Sequence, residues 1–248
     1  MYISRGKYLN SYQVLCLFKK RALSHTMEKA VKPILYGDEA SPPVRFAMMT
    51  ASLANVEVEF QKIDLFQGEN RTEFYKKINP FQKVPSLSVN GQNICDSHAI
   101  AVYFCRKSYN KELYPDDIIL KAKIDEWLYF DAGILFPIDS AIFSDFFAGK
   151  WPANEVLINK WYFALDHCEL VLEKQKWLTG DKIRLCDICC GTTISSLEIL
   201  IPLLERHQRL KEWMRELRNL PCFEINTRGL KRLQVFVDAV KTSNTQVN

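Results

Sequence analysis

One carboxylate, Asp139, stands inside the otherwise apolar run 135–143, LFPIDSAIF. A lone acid in an amphipathic helix ordinarily faces water; one turned inward would be a buried group able to grip a polar atom on an apolar ligand. The second residue with chemical capacity is Ser41, which opens SPPVR (41–45). A serine before two prolines reads as a helix N-cap with proline at the first helical position. A hydroxyl there can also donate to a thiolate, and the helix dipole adds positive charge beside it. Lowering a thiol pKa of about 8.5 by two units takes about 2.7 kcal/mol, within reach of a charge-assisted hydrogen bond and a dipole together. Tyr36 is the rival hydroxyl, but its strand-like setting assigns it to the core.

The eight cysteines include a C-x-x-C within CDICC (186–190). Zinc would need a second pair or a histidine pair, and the redox motif would need a strand just before it. Neither is present, so the thiols read as free and buried in a reducing compartment, with no metal. The hydrophobic content of 48% and charged content of 25% describe a globular chain with a sizeable core. The net charge of +4 is uneven, since 1–26 hold five basic residues and no acid, leaving about −1 for the remaining 222. The body therefore gives no electrostatic reason to expect nucleic acid, and no apolar run approaches the roughly 20 residues of a membrane span.

The elements that must carry these residues begin after a basic, presequence-like stretch, 1–26, that precedes a second methionine, Met27. Residues 1–31 are accordingly expected to be an N-terminal extension, disordered or loosely attached. KPILYG reads as a buried strand, SPPVRFAMMTASLA as a helix, VEVEFQKIDL as a second strand and GENRTEFYKKI as a polar helix. VPSLSV, Asn90-Gly91 and QNIC form a strand, turn and strand, and DSHAIAVYFCRK a helix that Asp96 or Ser97 can cap. That order, over 32–108, is a thioredoxin-like α/β unit. Beyond a linker, 118–240 shows only three-to-four spacing of large apolar residues, with helices predicted over 121–147, 154–174, 187–204 and 209–218. The fold class is thus an α/β thioredoxin-like N-terminal domain followed by an all-α domain.

SPPVR, NPFQKVPSL (79–87), DSHAI (96–100) and LYP (113–115) together resemble the glutathione transferases, specifically the insect delta/epsilon type, from residue 32 to about 240. The resemblance implies a cytoplasmic homodimer with glutathione as cosubstrate, its dimer surface along the start of the helical half against the first domain. Ser41 would be the catalytic hydroxyl facing the glutathione thiolate. Val84-Pro85 would carry the family's cis-proline, so that the Val84 backbone pairs with the cysteinyl unit as an added strand would. Asp96 and Ser97 would hold the γ-glutamyl end. Within the epsilon type, DLFQGE and LFPIDSAIF are similar to the transferases required for moulting-steroid production. In those an acid matching Asp139 hydrogen-bonds a steroid hydroxyl inside an apolar pocket; Phe66, Phe136 and Phe143 fall where neighbouring walls are expected.

Two positions depart from the delta/epsilon pattern. Gln82 replaces a histidine that contacts the glycyl carboxylate, and a neutral donor holds that end more weakly. Arg184 replaces the usual Thr or Ser cap three residues before Asp187. The expected function is a glutathione transferase with a small lipophilic, steroid-like substrate; the alternatives are a general detoxifying transferase or a largely non-catalytic lipophile carrier. A scaffold or channel-like relative would typically have a cysteine in place of Ser41 or lack the glutathione contacts.

Overall fold

A computed structural model describes residues 32–109 and 111–245; the extension predicted at 1–31 lies outside the described residues. β1 (Ile34–Gly37) is the inner strand that the ILYG pattern predicts, paired in parallel with β2 (Glu59–Lys62) and antiparallel with β3 (Ser86–Val89). β3 returns as β4 (Gln92–Ile94), giving the order β2-β1-β3-β4. The hairpin between β3 and β4 turns at Asn90 and Gly91, both at positive φ (49° and 77°), which is why an Asn-Gly pair stands there.

α1 (Pro42–Leu53) and α3 (Ser97–Lys107) pack together over one sheet face, where Leu35 and Leu87 meet Ala47, Ala51, Ile100 and Phe104. α2 (Glu73–Ile78) covers Tyr36 and Ile63 through Tyr75. The polar stretch predicted as one helix divides, because Thr72 ends a 3-10 turn (Glu69–Arg71) and caps α2 by accepting from the Tyr75 amide at 3.3 Å.

The second half is helical: α4 (Ile118–Phe130), a π-helical turn (Asp131–Leu135), α5 (Phe136–Phe147), α6 (Glu155–Leu172), α7 (Leu185–Leu197), α8 (Gln208–Arg218) and α9 (Phe223–Thr245). The continuous helix predicted over 121–147 is interrupted because Pro137 has no N–H to give the Gly133 carbonyl four residues earlier; the wide turn absorbs the missing bond. α7 ends sooner than predicted, at Leu197. α9 falls largely within the all-helical stretch expected to residue 240, although no separate helix is predicted there.

All thirteen residues of α7 are buried, and α7 packs against α1, joining the sheet half to the helical half. At its start Asp187 accepts from the Arg184 amide at 2.8 Å, the Leu178 amide at 2.9 Å and the Trp213 indole at 3.0 Å. The acid thus bonds the cap residue's backbone, which an arginine supplies as well as a threonine does. The seven described cysteines are free, and burial raises the thiol pKa of six of them, to about 12 for Cys105 and about 11 for Cys222. Such thiols are poor nucleophiles and poor metal ligands.

Candidate active site

Ser41 occupies the N-cap of α1 with extended backbone (φ −77°, ψ 124°). Pro42 and Pro43, the next two residues, carry no N–H, and the Val44 amide bonds the Ser41 carbonyl at 3.2 Å. Among the described residues no backbone donor engages the hydroxyl, which makes no capping bond. Its O–H is left to a ligand at the positive end of the helix.

The loop before Ser41 is fixed from several directions. The Ser41 amide donates to the Asp38 carbonyl at 2.9 Å, and the amides of Ala40 and Leu65 donate to the Asp38 carboxylate at 3.0 and 3.1 Å. Arg232 of α9 adds two bonds to that carboxylate, at 2.6 and 2.9 Å. Burial alone would raise the Asp38 pKa, but the donors from Arg232, Ala40 and Leu65 outweigh it and hold the group below the ordinary carboxylate range. Arg45, fully buried in α1, donates to the Glu39 and Ala40 carbonyls at 2.9 and 2.6 Å, to Asn226 Oδ1 at 2.8 Å and to Ser196 Oγ. Gly229 of α9 faces this unit so closely that a Cβ would lie 2.3 Å from both Arg45 Cδ and the Glu39 carbonyl.

Ser41 lines a cavity of about 570 Å³, a size suited to a small lipophile. Phe66, Phe136, Phe143, Asp139 and Arg71 line it too, so five residues singled out in the sequence meet in one place. Phe66 stacks on Phe236 and meets Phe147 edge-on at 5.9 Å. Asp139 is 3% exposed, and its Oδ1 has no hydrogen-bond partner among the described residues. Burial pushes this carboxyl well above the ordinary range; the Arg45 guanidinium opposes the rise and Asp131 adds to it. The Arg45 bonds run to backbone carbonyls, Asn226 and Ser196 rather than to Asp139. Such a rise favours the protonated acid, which can both donate and accept, over a wider pH range than an exposed carboxyl allows. Arg71 is exposed, and its guanidinium makes no hydrogen bond or ion pair among the described residues.

Val84-Pro85 is a cis peptide bond. The Lys83 carbonyl just before it accepts from Tyr75 Oη at 2.8 Å and Asn79 Nδ2 at 2.7 Å, which anchors the segment from inside. Gln82, at φ 56°, offers its carbonyl to Asn70 Nδ2 at 2.8 Å, tying its loop to the turn that carries Arg71. Asp96 is exposed and caps α3 by accepting from the Ala99 amide at 2.9 Å, while Ser97 is buried beside it. His98 reaches across to the π-helical turn, Nε2 to Asp131 Oδ2 at 3.1 Å. Burial would lower its pKa, but the bonds to Asp131 and Asp96 prevail and raise it to about 9. The Asp96 pKa is lowered, first by the hydrogen bond from His98. Gln82, Val84, Pro85, Asp96 and Ser97 are not among the cavity-lining residues, and neither is Tyr36, whose ring packs edge-on against Phe74 and Tyr75.

The known proteins most informative here agree with one another. Residues 35–112 match the glutathione S-transferase N-terminal domain. Glutathione S-transferase 1 of Manduca sexta is 32% identical over 195 residues, covering 77% of this chain and 89% of the relative. The chain belongs to the glutathione S-transferase family. An epsilon-class glutathione S-transferase from the housefly, Musca domestica, superposes with a TM-score of 0.80 at 31% identity, covering 84% of this chain and 98% of that one. A glutathione transferase homologue from Drosophila mojavensis with bound glutathione gives 0.79 at 33% identity, covering 85% and 97%. The transferase is therefore of the insect epsilon/delta type, with glutathione as its cosubstrate.

Asp38, Arg45 and Arg232, which hold the loop before Ser41, and Arg71 on the cavity wall escaped the sequence reading. A signal existed for Arg45, a lone cation in the otherwise apolar helix FAMMTASL that it precedes, but arginines at helix starts are ordinarily read as solvated. Arg232 gave no signal, because its helix was not recognised.

Proposed function

We propose that this transferase activates glutathione at Ser41 and presents the thiolate to a steroid- or sterol-like molecule whose buried oxygen rests on Asp139, as in the Noppera-bo type of ecdysteroid-producing transferase. The observation that carries the reading is Asp139 itself, buried with one carboxyl oxygen unpartnered among the described residues and set among the residues of an aromatic-walled cavity that Ser41 also lines. An unmet polar atom there costs stability unless a ligand or water satisfies it, and a hydroxyl at the end of a rigid apolar skeleton does so. Glutathione lies with its cysteinyl unit on the Val84 backbone and its γ-glutamyl group at Asp96 and Ser97, where the start of α3 receives the carboxylate. Its glycyl carboxylate points towards Gln82 and the adjoining turn, where Arg71 supplies the cation that Gln82 cannot. The protein acts as a cytoplasmic homodimer; Ile118 and Ile119, 83% and 72% exposed at the start of α4, suit the expected subunit contact.

The test is competition for the cavity with glutathione bound. A hydroxysteroid should displace a fluorescent apolar probe more tightly than its deoxy analogue; equal affinities would return the protein to general detoxification. Turnover of a generic electrophile separates either enzyme from a passive carrier.

A further inference from the structure

We propose that Asp139 is also a general acid: the cavity takes α,β-unsaturated ketones, and Asp139 protonates the carbonyl oxygen as the glutathione thiolate adds to the β-carbon. This rests on the reading that the cavity seats an oxygen of a lipophile on Asp139. Three features of the site point to it. Asp139 and Ser41 line the same cavity, so an acid and a thiolate-stabilising hydroxyl face one bound molecule. Asp139 is 97% buried, and its Oδ1 has no hydrogen-bond partner among the described residues, so no protein group there fixes the carboxyl's proton elsewhere. The groups acting on it are Arg45 from α1 and Asp131 from the π-helical turn, with Arg71 on the cavity wall. Burial outweighs Arg45 among them and raises the carboxyl's pKa, the direction a general acid requires.

The step balances. The sulfur–carbon bond forms at the β-carbon, the carbon–carbon π pair shifts towards the carbonyl, and the oxygen takes the Asp139 proton to give an enol. Protonation of the α-carbon by water returns the ketone, and the enol O–H proton goes back to the Asp139 carboxylate. The proton lost by the glutathione thiol at the start supplies the net requirement, so the sum is addition of glutathione across the double bond. Substitution on an aryl chloride, by contrast, expels chloride and needs no acid at this point.

The experiment compares an enone steroid, its saturated ketone and 1-chloro-2,4-dinitrobenzene across pH in the wild-type protein and in Asp139→Asn, which keeps a hydrogen-bond donor but has no proton to give. In the wild type, kcat for the enone should fall at high pH along a limb that the aryl chloride lacks. In Asp139→Asn, with a melting curve to verify folding, the saturated ketone should bind within about threefold of wild type. The enone kcat should then fall about 100-fold, at least tenfold more than the aryl chloride, the scale of general acid catalysis. Equal losses for both electrophiles, or a wild-type enone profile with no descending limb, would overturn the inference; the wild-type limb decides it even if the variant does not fold. If the saturated ketone binds Asp139→Ala as tightly as wild type, the seating of an oxygen on Asp139 fails as well, which separates the two claims.

Discussion

Arg232 of the last helix grips Asp38 through two hydrogen bonds, Nε to Oδ1 at 2.6 Å and Nη2 to Oδ2 at 2.9 Å, and the Asp38 carbonyl in turn receives the Ser41 amide. The final helix therefore holds the serine loop in place although it lies some 190 residues away in sequence. Arg228 reinforces the clamp through Glu39.

Arg232→Ala should leave Asp38 fully buried with fewer donors. Stability should fall by about 3 kcal/mol, the lower end of the cost of stranding a buried charge. Denaturant unfolding measures this, and a spectroscopic titration of bound glutathione should show a raised thiol pKa because Ser41 is no longer fixed. A variant as stable as the parent would deny the clamp.

Ser41→Ala should raise the thiol pKa of bound glutathione and lower turnover by one to two orders of magnitude, about 1.4 to 2.7 kcal/mol, with little change in glutathione affinity. An unshifted pH–rate profile would assign the role to another group.

Arg71→Ala should raise the KM for glutathione with little effect on kcat, since a contact to the remote glycyl carboxylate is made alike in ground and transition states. The glycyl ethyl ester of glutathione lacks that charge, so wild type and variant should handle it equally. An identical penalty for the acid and the ester would remove Arg71 from this end of the site.

The His98 pKa, about 9 in the folded protein against an ordinary 6.5, makes stability pH-dependent. A raised pKa means that the stabilisation is fully present below about 6.5 and is lost as pH rises through about 9. The shift caps the loss at about 3 kcal/mol. His98→Gln should flatten the stability curve between those pH values, measured by denaturant titration.

The sheet half was legible because its signals are local: ILYG, the Asn90-Gly91 turn and the capped start of α3 each specify their own geometry. The π-helical turn was hidden because apolar spacing runs straight through it and only Pro137 marks the break. α9 was missed because Asn226, Arg228 and Arg232, which interrupt its apolar pattern, are the residues that face the serine loop. Arg45 illustrates the same limit: its burial depends on Asn226, 181 residues away, and no local pattern announces such a partner. Ser41 was visible as a cap, but the consequence of the two prolines, a hydroxyl with no backbone bond, needed the helix geometry.

The central claim is that Asp139 receives the oxygen of a lipophile in the cavity that Ser41 lines. Calorimetry of a hydroxysteroid and its deoxy analogue, each against wild type and Asp139→Ala with glutathione present, tests it most directly. The wild type should prefer the hydroxysteroid by about 1 to 3 kcal/mol, the cost of leaving a buried polar partner unmet. Asp139→Ala should bind the two alike. Undiminished preference in the variant would contradict the account and leave Asp139 as an acid buried for some other reason.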